Sequence, residues 1–328
     1  MKVAVLGAGA WGTAIAISLA QRHPVTLWAR SSQQCVAMRA SRANERYLPG
    51  ELFPDQLDIT DDISTALNGA GLALIAVTTA ALRETLKRIK AHGSGAPVIW
   101  LCKGFEPGRA QLPHQVCAEE LGGLIPSAAL SGPSFAQEVA RGLPTAVTLA
   151  SLSAQFTHEA ALALHSPAFR VYTSDDLIGV EVAGAVKNVM AIAAGISDGL
   201  QYGYNARAAL ITRGLAEITR LGVALGGRAE TFMGLAGAGD LILTCTGDLS
   251  RNRQVGLKLG QGEPLEAILV ELGHVAEGVN TAPELHHLAA QLLVDMPITR
   301  AVCRVLKDHT QARAAADELL RREPKAER

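Results

Sequence analysis

A chain of 328 residues that is 48% hydrophobic and 19% charged can bury two cores and is not a disordered polymer. Its net charge of −1, with no basic block, argues against a nucleic-acid surface or an anionic membrane as the main partner. Five widely spaced cysteines without a CxxC, and nine histidines without an HExxH, argue against a disulfide framework or a metal centre and fit a reducing cytoplasm.

Met1–Ala20 is almost free of charge and has the look of a secretion signal, but Gly7, Gly9 and Gly12 interrupt it. Beyond it, no segment is expected to approach the length of a membrane span. Lys2–Leu6 (KVAVL) reads as a buried strand. Gly7-Ala8-Gly9-Ala10-Trp11-Gly12 follows, and then the helical stretch TAIAISLAQR. This is GxGxxG between a strand and a helix start, the pattern of a dinucleotide-binding turn. Gly7 permits the tight turn, Gly9 lets a pyrophosphate approach the backbone, and Gly12 lets helix and strand pack closely. Val25–Trp28 is the second strand, and it ends in Ala29-Arg30 rather than in an acid. Arg30 can pair with a 2′-phosphate or stack on adenine, so NADPH should be accepted.

The strand and helix rhythm continues through Leu72–Val77, a helix to Lys90, and Pro97–Cys102. Lys103-Gly104 lies just past the end of that last strand, where open α/β sheets bind ligands. Ala128–Leu130 leads into Ser131-Gly132-Pro133-Ser134-Phe135-Ala136, which does not match GxSxG. Ser134 is therefore a hydrogen-bond donor rather than a nucleophile. Thr145–Ala150 and Phe169–Tyr172 read as further strands, and the first domain ends near Asp176.

From there the periodicity is helical. Asp175-Asp176 caps a long, nearly uncharged segment, Leu177–Asn205, with one interior lysine, Lys187. Its helical neighbours are Ala183, Gly184, Met190 and Ala191, none of them a carboxylate. An ammonium buried there needs either a partner from elsewhere in the fold or a lowered pKa, and the second would suit a general acid/base. A lysine snorkelling to water is the alternative. Ala206–Leu225 is a second long helix carrying Arg207, Arg213 and Arg220, for which solvent or ion pairs suffice. Gly237-Ala238-Gly239-Asp240 lacks a third glycine and reads as a turn exposing Asp240. The run Thr244–Arg253 concentrates hydroxyl, amide and guanidinium donors, Ser250, Arg251 and Asn252 among them. It suits a dianionic phosphate, with a polar surface loop as the alternative. His274–Gly278 reads as a loop ahead of a helix.

Several of these stretches together resemble bacterial NAD(P)-dependent sn-glycerol-3-phosphate dehydrogenases over nearly the whole chain. They are GAGAWGTA at 7–14, SGPSFAQE at 131–138, VEVAGAVKNVMAIAAG at 180–195, NARAALITRGL at 205–215 and GLAGAGDLILTCTGDLSRNR at 234–253. The resemblance implies an α/β chain with an N-terminal Rossmann-type doubly wound sheet at 1–176 and a mostly α-helical substrate domain at 177–328. It implies reversible reduction of dihydroxyacetone phosphate by NADPH or NADH, feeding phospholipid synthesis in the cytoplasm. It makes Lys187 the proton donor and acceptor. It makes Lys103, Gly132, Ser134, Lys187, Asp240, Ser250, Arg251 and Asn252 the substrate contacts. The cofactor contacts become Gly7, Gly9, Ala10, Trp11, Gly12, Arg30, Lys103, Ala136, Arg251, Val275 and Glu277. Ala10 departs from the family, where serine is frequent, so a backbone contact there would survive and a hydroxyl contact would not. A homodimer through the helical domain is compatible with its apolar content. The competing readings are another two-domain dehydrogenase, for 3-hydroxyacids or imines, and a non-catalytic dinucleotide sensor. The phosphate-suited cluster argues against the first, and Lys187, Lys103 and Arg251 against the second.

Overall fold

The computed structural model describes residues 1–123, 125–273, 276–307 and 311–323. The chain divides into two compact units. One is Met1–Glu106 with Gln111–Glu181, and the other is Val182–Arg328 with the short segment Pro107–Ala110.

The strands of the first unit are β1 (Val3–Leu6), β2 (Val25–Trp28), β3 (Ala43–Asn44), β4 (Leu48–Leu52) and β5 (Leu57–Thr60). Then come β6 (Leu72–Ile75), β7 (Val98–Trp100), β8 (Ser127–Ser131), β9 (Thr145–Ala150) and β10 (Phe169–Ser174). Eight of them form one sheet in the order β10-β9-β8-β7-β6-β1-β2-β5. All pairs are parallel except β8 with β9. β1 and β6, in the middle, are fully buried, and their side chains are Val, Leu, Ala and Ile throughout, as a sheet covered on both faces requires. The helices are α1 (Ala10–Ala20), α2 (Ser32–Ser41), α3 (Ile63–Leu67), α4 (Thr79–His92), α5 (Pro113–Leu121), α6 (Ala136–Ala140) and α7 (Ala154–Leu164). Ser31, Asp62 and Ser153 cap α2, α3 and α7 by accepting backbone N–H bonds.

The second unit is helical. Helix α8 (Leu177–Gly199) runs into it from the first unit, and Asp176 caps it by accepting from the Gly179 N–H at 2.9 Å. There follow α9 (Gly203–Ala224), α10 (Ala229–Phe232), a π-helical turn (Leu235–Gly239), α11 (Asp240–Thr246) and α12 (Arg251–Gly260). The last are α13 (Leu265–Leu272), α14 (Glu277–Gln291), α15 (Pro297–Lys307) and α16 (Ala312–Leu320). Helix α8 is long and apolar enough, by length and composition, to cross a membrane, which corrects the expectation that no second segment reaches that length. In this fold 94% of its most apolar window is buried in the protein, so it is a core helix.

Close packing of α8 depends on glycines. Gly195 and Gly199 of α8 face Gly256 and Gly260 of α12. A Cβ on Gly195 would lie 2.1 Å from the Arg253 carbonyl oxygen, and one on Gly256 would lie 2.0 Å from that of Ile192. Two glycines four residues apart on each helix thus bring the backbones together in one register. That register sets the first turn of α12 beside Asn188, the residue after Lys187.

Candidate functional site

In the first unit the glycine-rich turn joins β1 to α1. Gly7 takes φ +123°, and a Cβ there would meet the Ala76 carbonyl oxygen at 2.5 Å. A Cβ on Gly12 would lie 1.9 Å from the Gly7 carbonyl oxygen. Both glycines are therefore demanded by packing alone. Gly9 differs: a Cβ there would meet no atom within 4 Å. Gly9 is also the N-cap of α1 and has no capping side chain, so the first-turn N–H groups of Ala10, Trp11 and Gly12 lack the usual side-chain acceptor. An open space beside bare helix N–H groups fits a pyrophosphate, which would take both the room and the donors. Asn44 braces the turn by donating to the Ala8 carbonyl at 3.0 Å and to Thr13 Oγ1 at 2.8 Å. Nothing in its sequence context pointed to that role. Arg30 is exposed just past the end of β2.

Three of the expected substrate contacts meet past the ends of β7 and β8. Lys103 Nζ donates to the Gly132 carbonyl at 3.2 Å, and Ser134 Oγ donates to the same oxygen at 2.9 Å. Gly132 has φ +135°, and a Cβ there would press on Val147 Cα at 3.0 Å. Ala136 opens α6 and packs against the main hydrophobic core, as does Trp11.

In the second unit Lys187 is 7% exposed and points its ammonium at Asp240 Oδ1, with Thr244 Oγ1 accepting at 3.0 Å. Of the two routes open to a buried lysine, the chain takes the partner from elsewhere in the fold. Asp240 is 1% exposed and not presented by a turn, which corrects the sequence expectation. The physical reason is the π-helical turn before it, closed by the Gly239 N–H on the Gly234 carbonyl at 3.1 Å, which begins α11 inward at Asp240. Such single π turns recur at functional sites. Thr244, one turn along α11, donates back to the Asp240 carbonyl at 2.6 Å and completes a three-residue unit.

Ser250, Arg251 and Asn252 form the N-terminus of α12 rather than a loop. Ser250 is the N-cap and accepts from the Arg253 N–H at 3.3 Å. Arg251 is exposed at the first helical position. Asn252 is 9% exposed. Its Nδ2 donates to Asn188 Oδ1 at 3.0 Å, and its Oδ1 accepts from the Gly278 N–H at 3.0 Å. Arg253 faces the other way and pairs with Asp198 and Asp248, both at 2.8 Å. The helix dipole and Arg251 make this end attractive to an anion. Glu277 opens α14. Val275 lies outside the described residues.

Four cysteines are buried, Cys102 is partly exposed, and none of the five is in a disulfide. Burial pushes Cys117 up to about 11 and Cys245 up to about 12, which leaves both as inert core thiols near neutral pH.

Residues 2–157 match the family model for the N-terminus of NAD-dependent glycerol-3-phosphate dehydrogenase, and residues 176–317 match that for its C-terminus. The chain is 58% identical to a glycerol-3-phosphate dehydrogenase (NAD(P)+) of Thiobacillus denitrificans, with 100% of each chain covered. It is 57% identical to the protein of the same name from Nitrosospira multiformis, over 100% of this chain and 99% of that one. Among solved structures it superimposes on glycerol-3-phosphate dehydrogenase from Coxiella burnetii with a TM-score of 0.94 at 45% identity, covering 98% and 99% of the two chains. The corresponding enzyme from Saccharomyces cerevisiae gives 0.82 at 30% identity, over 97% and 98%. The chain belongs to the NAD-dependent glycerol-3-phosphate dehydrogenase family.

Proposed function

We propose that this chain catalyses the reversible NAD(P)H-dependent reduction of dihydroxyacetone phosphate to sn-glycerol 3-phosphate. The observation that carries the reading is the buried trio Lys187, Asp240 and Thr244, together with the donor-rich start of α12, whose Asn252 is bonded to the neighbour of Lys187. When bound, the nicotinamide supplies the hydride that reaches the carbonyl carbon. Lys187 gives its proton to the carbonyl oxygen, which becomes the alcohol, and takes one back in the reverse direction. Asp240 favours the charged form of that lysine, and Thr244 fixes its direction.

Ser250, Arg251 and Asn252 take the phosphate. The guanidinium supplies a fork, the Ser250 hydroxyl still has its proton to donate, and the second Nδ2 hydrogen of Asn252 is the third donor. Binding energy from this non-reacting end orients the ketone. Lys103, Gly132 and Ser134 contribute further substrate contacts. Gly7, Gly9, Ala10, Trp11 and Gly12 cradle the pyrophosphate, with Lys103, Ala136, Arg251, Val275 and Glu277 as the other cofactor contacts. Arg30 pairs with the 2′-phosphate of NADPH, and NADH is also accepted. The enzyme works in the cytoplasm as a homodimer through its helical unit, and its product supplies glycerophospholipid synthesis. The division into a cofactor domain at 1–176 and a substrate domain at 177–328 belongs to the same reading.

The test follows the absorbance of the reduced nicotinamide with purified protein and dihydroxyacetone phosphate, using unphosphorylated dihydroxyacetone as control. Turnover should require the phosphate, and Lys187→Met should lower kcat by roughly 10²- to 10⁴-fold. Protein that binds NADPH but turns over no phosphorylated ketone would overturn the assignment.

A further inference from the structure

Lys103 sits at the start of the segment that leaves β7 for α5. Three residues on, Glu106 is buried at 8% exposure, an unusual place for a carboxylate in a connecting loop. Its two oxygens take the fork of Arg83 from α4, Nε at 2.6 Å and Nη2 at 2.8 Å. The same guanidinium reaches Gln111 Oε1 at 2.8 Å, Glu119 Oε2 at 2.8 Å and Glu120 Oε1 at 2.6 Å. The Glu106 N–H donates to the Gln111 carbonyl at 2.8 Å, which closes the loop at its neck. Gly104 at φ +150° and Ala110 at φ +52° fix the path of the chain on either side.

A buried ion pair contributes little net stability compared with apolar residues of the same volume, whereas a bidentate fork fixes geometry. Here the fork holds both ends of the neck that follows Lys103, and α5 is tied to the same guanidinium. Gly104 and Phe105 alone separate Lys103 from this clamp, and the Lys103 amine rests on the Gly132 carbonyl at 3.2 Å. We infer that Arg83 and Glu106 are positioning residues, which set the reach of the Lys103 ammonium toward substrate and cofactor without touching either. This rests on the reading of Lys103 given above.

A double-mutant cycle tests it. Glu106→Gln should lower kcat/KM for dihydroxyacetone phosphate about tenfold to a hundredfold, the scale of an ångström of misplacement. Arg83→Lys, which keeps the charge and loses the fork, should do the same, and the activity of Arg83→Ala should be partly restored by added guanidinium but not by ammonium. In a Lys103→Met background Glu106→Gln should have no further effect, because there is no ammonium left to place. Multiplicative losses in the double variant would mean that the clamp only supports the fold, and would overturn the inference. So would wild-type kcat/KM in both Glu106→Gln and Arg83→Lys. Full activity in Lys103→Met alone would instead remove the reading of Lys103, and the inference with it.

Discussion

Gly256→Ala should damage catalysis through the crossing of two helices, without touching any group that meets the substrate. The added Cβ would sit 2.0 Å from the Ile192 carbonyl oxygen, 2.8 Å from its carbon and 2.9 Å from the Ile196 nitrogen. All three are backbone atoms of α8, so no side chain can swing aside. Ordinary contact begins near 3.4 Å, so α12 must retreat from α8 by about 1.4 Å. The bond between Asn252 and Asn188 at 3.0 Å would stretch beyond hydrogen-bonding range, and Ser250 and Arg251 would travel with the same helix. Lys187 would stay, because Asp240 and Thr244 hold it from α11. The proposed phosphate clamp and the proposed proton donor would then be mismatched by an ångström or so, worth about 10²-fold in kcat/KM, and overpacking would cost about 1–3 kcal/mol of stability. The assay is steady-state kinetics in dihydroxyacetone phosphate, beside a urea melt and a direct NADPH titration. The NADPH Kd should rise far less than kcat/KM falls, since the glycine-rich turn belongs to the other unit and Arg251 is the proposed cofactor contact that rides on α12. A variant with wild-type kcat/KM and wild-type stability would refute the claim that the helix contact sets the site. Equal losses in NADPH affinity and kcat/KM would refute it too, as a global effect.

Gly9→Ala should leave stability within about 1 kcal/mol of wild type, since its Cβ meets nothing, yet weaken NADPH binding; Gly12→Ala should lose stability outright, because its Cβ would lie 1.9 Å from a carbonyl oxygen. Thermal melts with and without NADPH distinguish the two. Glu217 is 1% exposed and accepts from the Ile298 N–H at 2.6 Å, the Thr299 N–H at 3.2 Å and Thr299 Oγ1 at 3.1 Å, thereby capping α15. Glu217→Ala strands those donors in the core and should cost roughly 2–5 kcal/mol by urea denaturation; a loss under about 1 kcal/mol would mean that water reaches the cap. Burial raises the Glu181 carboxyl above its ordinary 4.5, against the opposing hydrogen bonds from His114. The folded state therefore holds that proton more tightly, and this contribution is fully present below pH 4.5 and is lost as pH rises through the raised folded value. Glu181→Gln, which can still accept from the His114 N–H, should flatten that part of the stability curve; an unchanged slope in urea melts across the window would place the titration elsewhere.

Much of this fold is written in local pattern. β1, β2, β6 and β7 lie where short apolar runs between turn residues put them, because a strand buried on both faces is apolar almost throughout; β8, β9 and the edge strand β10 also lie at their expected places. The edge strand β5 was not legible, since the exposed Asp58 interrupts the apolar run of Leu57–Thr60; the hairpin of β3 and β4 hides behind Pro49 and Gly50. Lys187 stood out because it is the single lysine of an apolar helix, whereas its partner did not. Asp240 is 53 residues away, and no local rule reports that a π turn will bury it. The start of α12 was visible as a cluster of donors and missed as a helix, although Ser250 followed by a helical run is a cap signal. The paired glycines at 195 and 199 and at 256 and 260 were also in plain sight. Their meaning needed the two helices side by side.

The glycines and the buried ion pair make one argument about where this chain departs from what folding alone requires. Gly7, Gly12, Gly195 and Gly256 each meet a backbone oxygen at 2.5 Å or less if given a Cβ, so packing explains them. Gly9 meets nothing, so packing does not, and a ligand at the helix N-terminus does. Lys187 and Asp240 follow the same logic. Removing two charges from water is expensive, and well-packed apolar residues in their place would be as stable or more so. The fold nevertheless spends a π turn, a threonine and a paired carboxylate to hold one ammonium inside an apolar helix. Stability does not ask for that arrangement, and the proposed proton transfer to a ketone oxygen would.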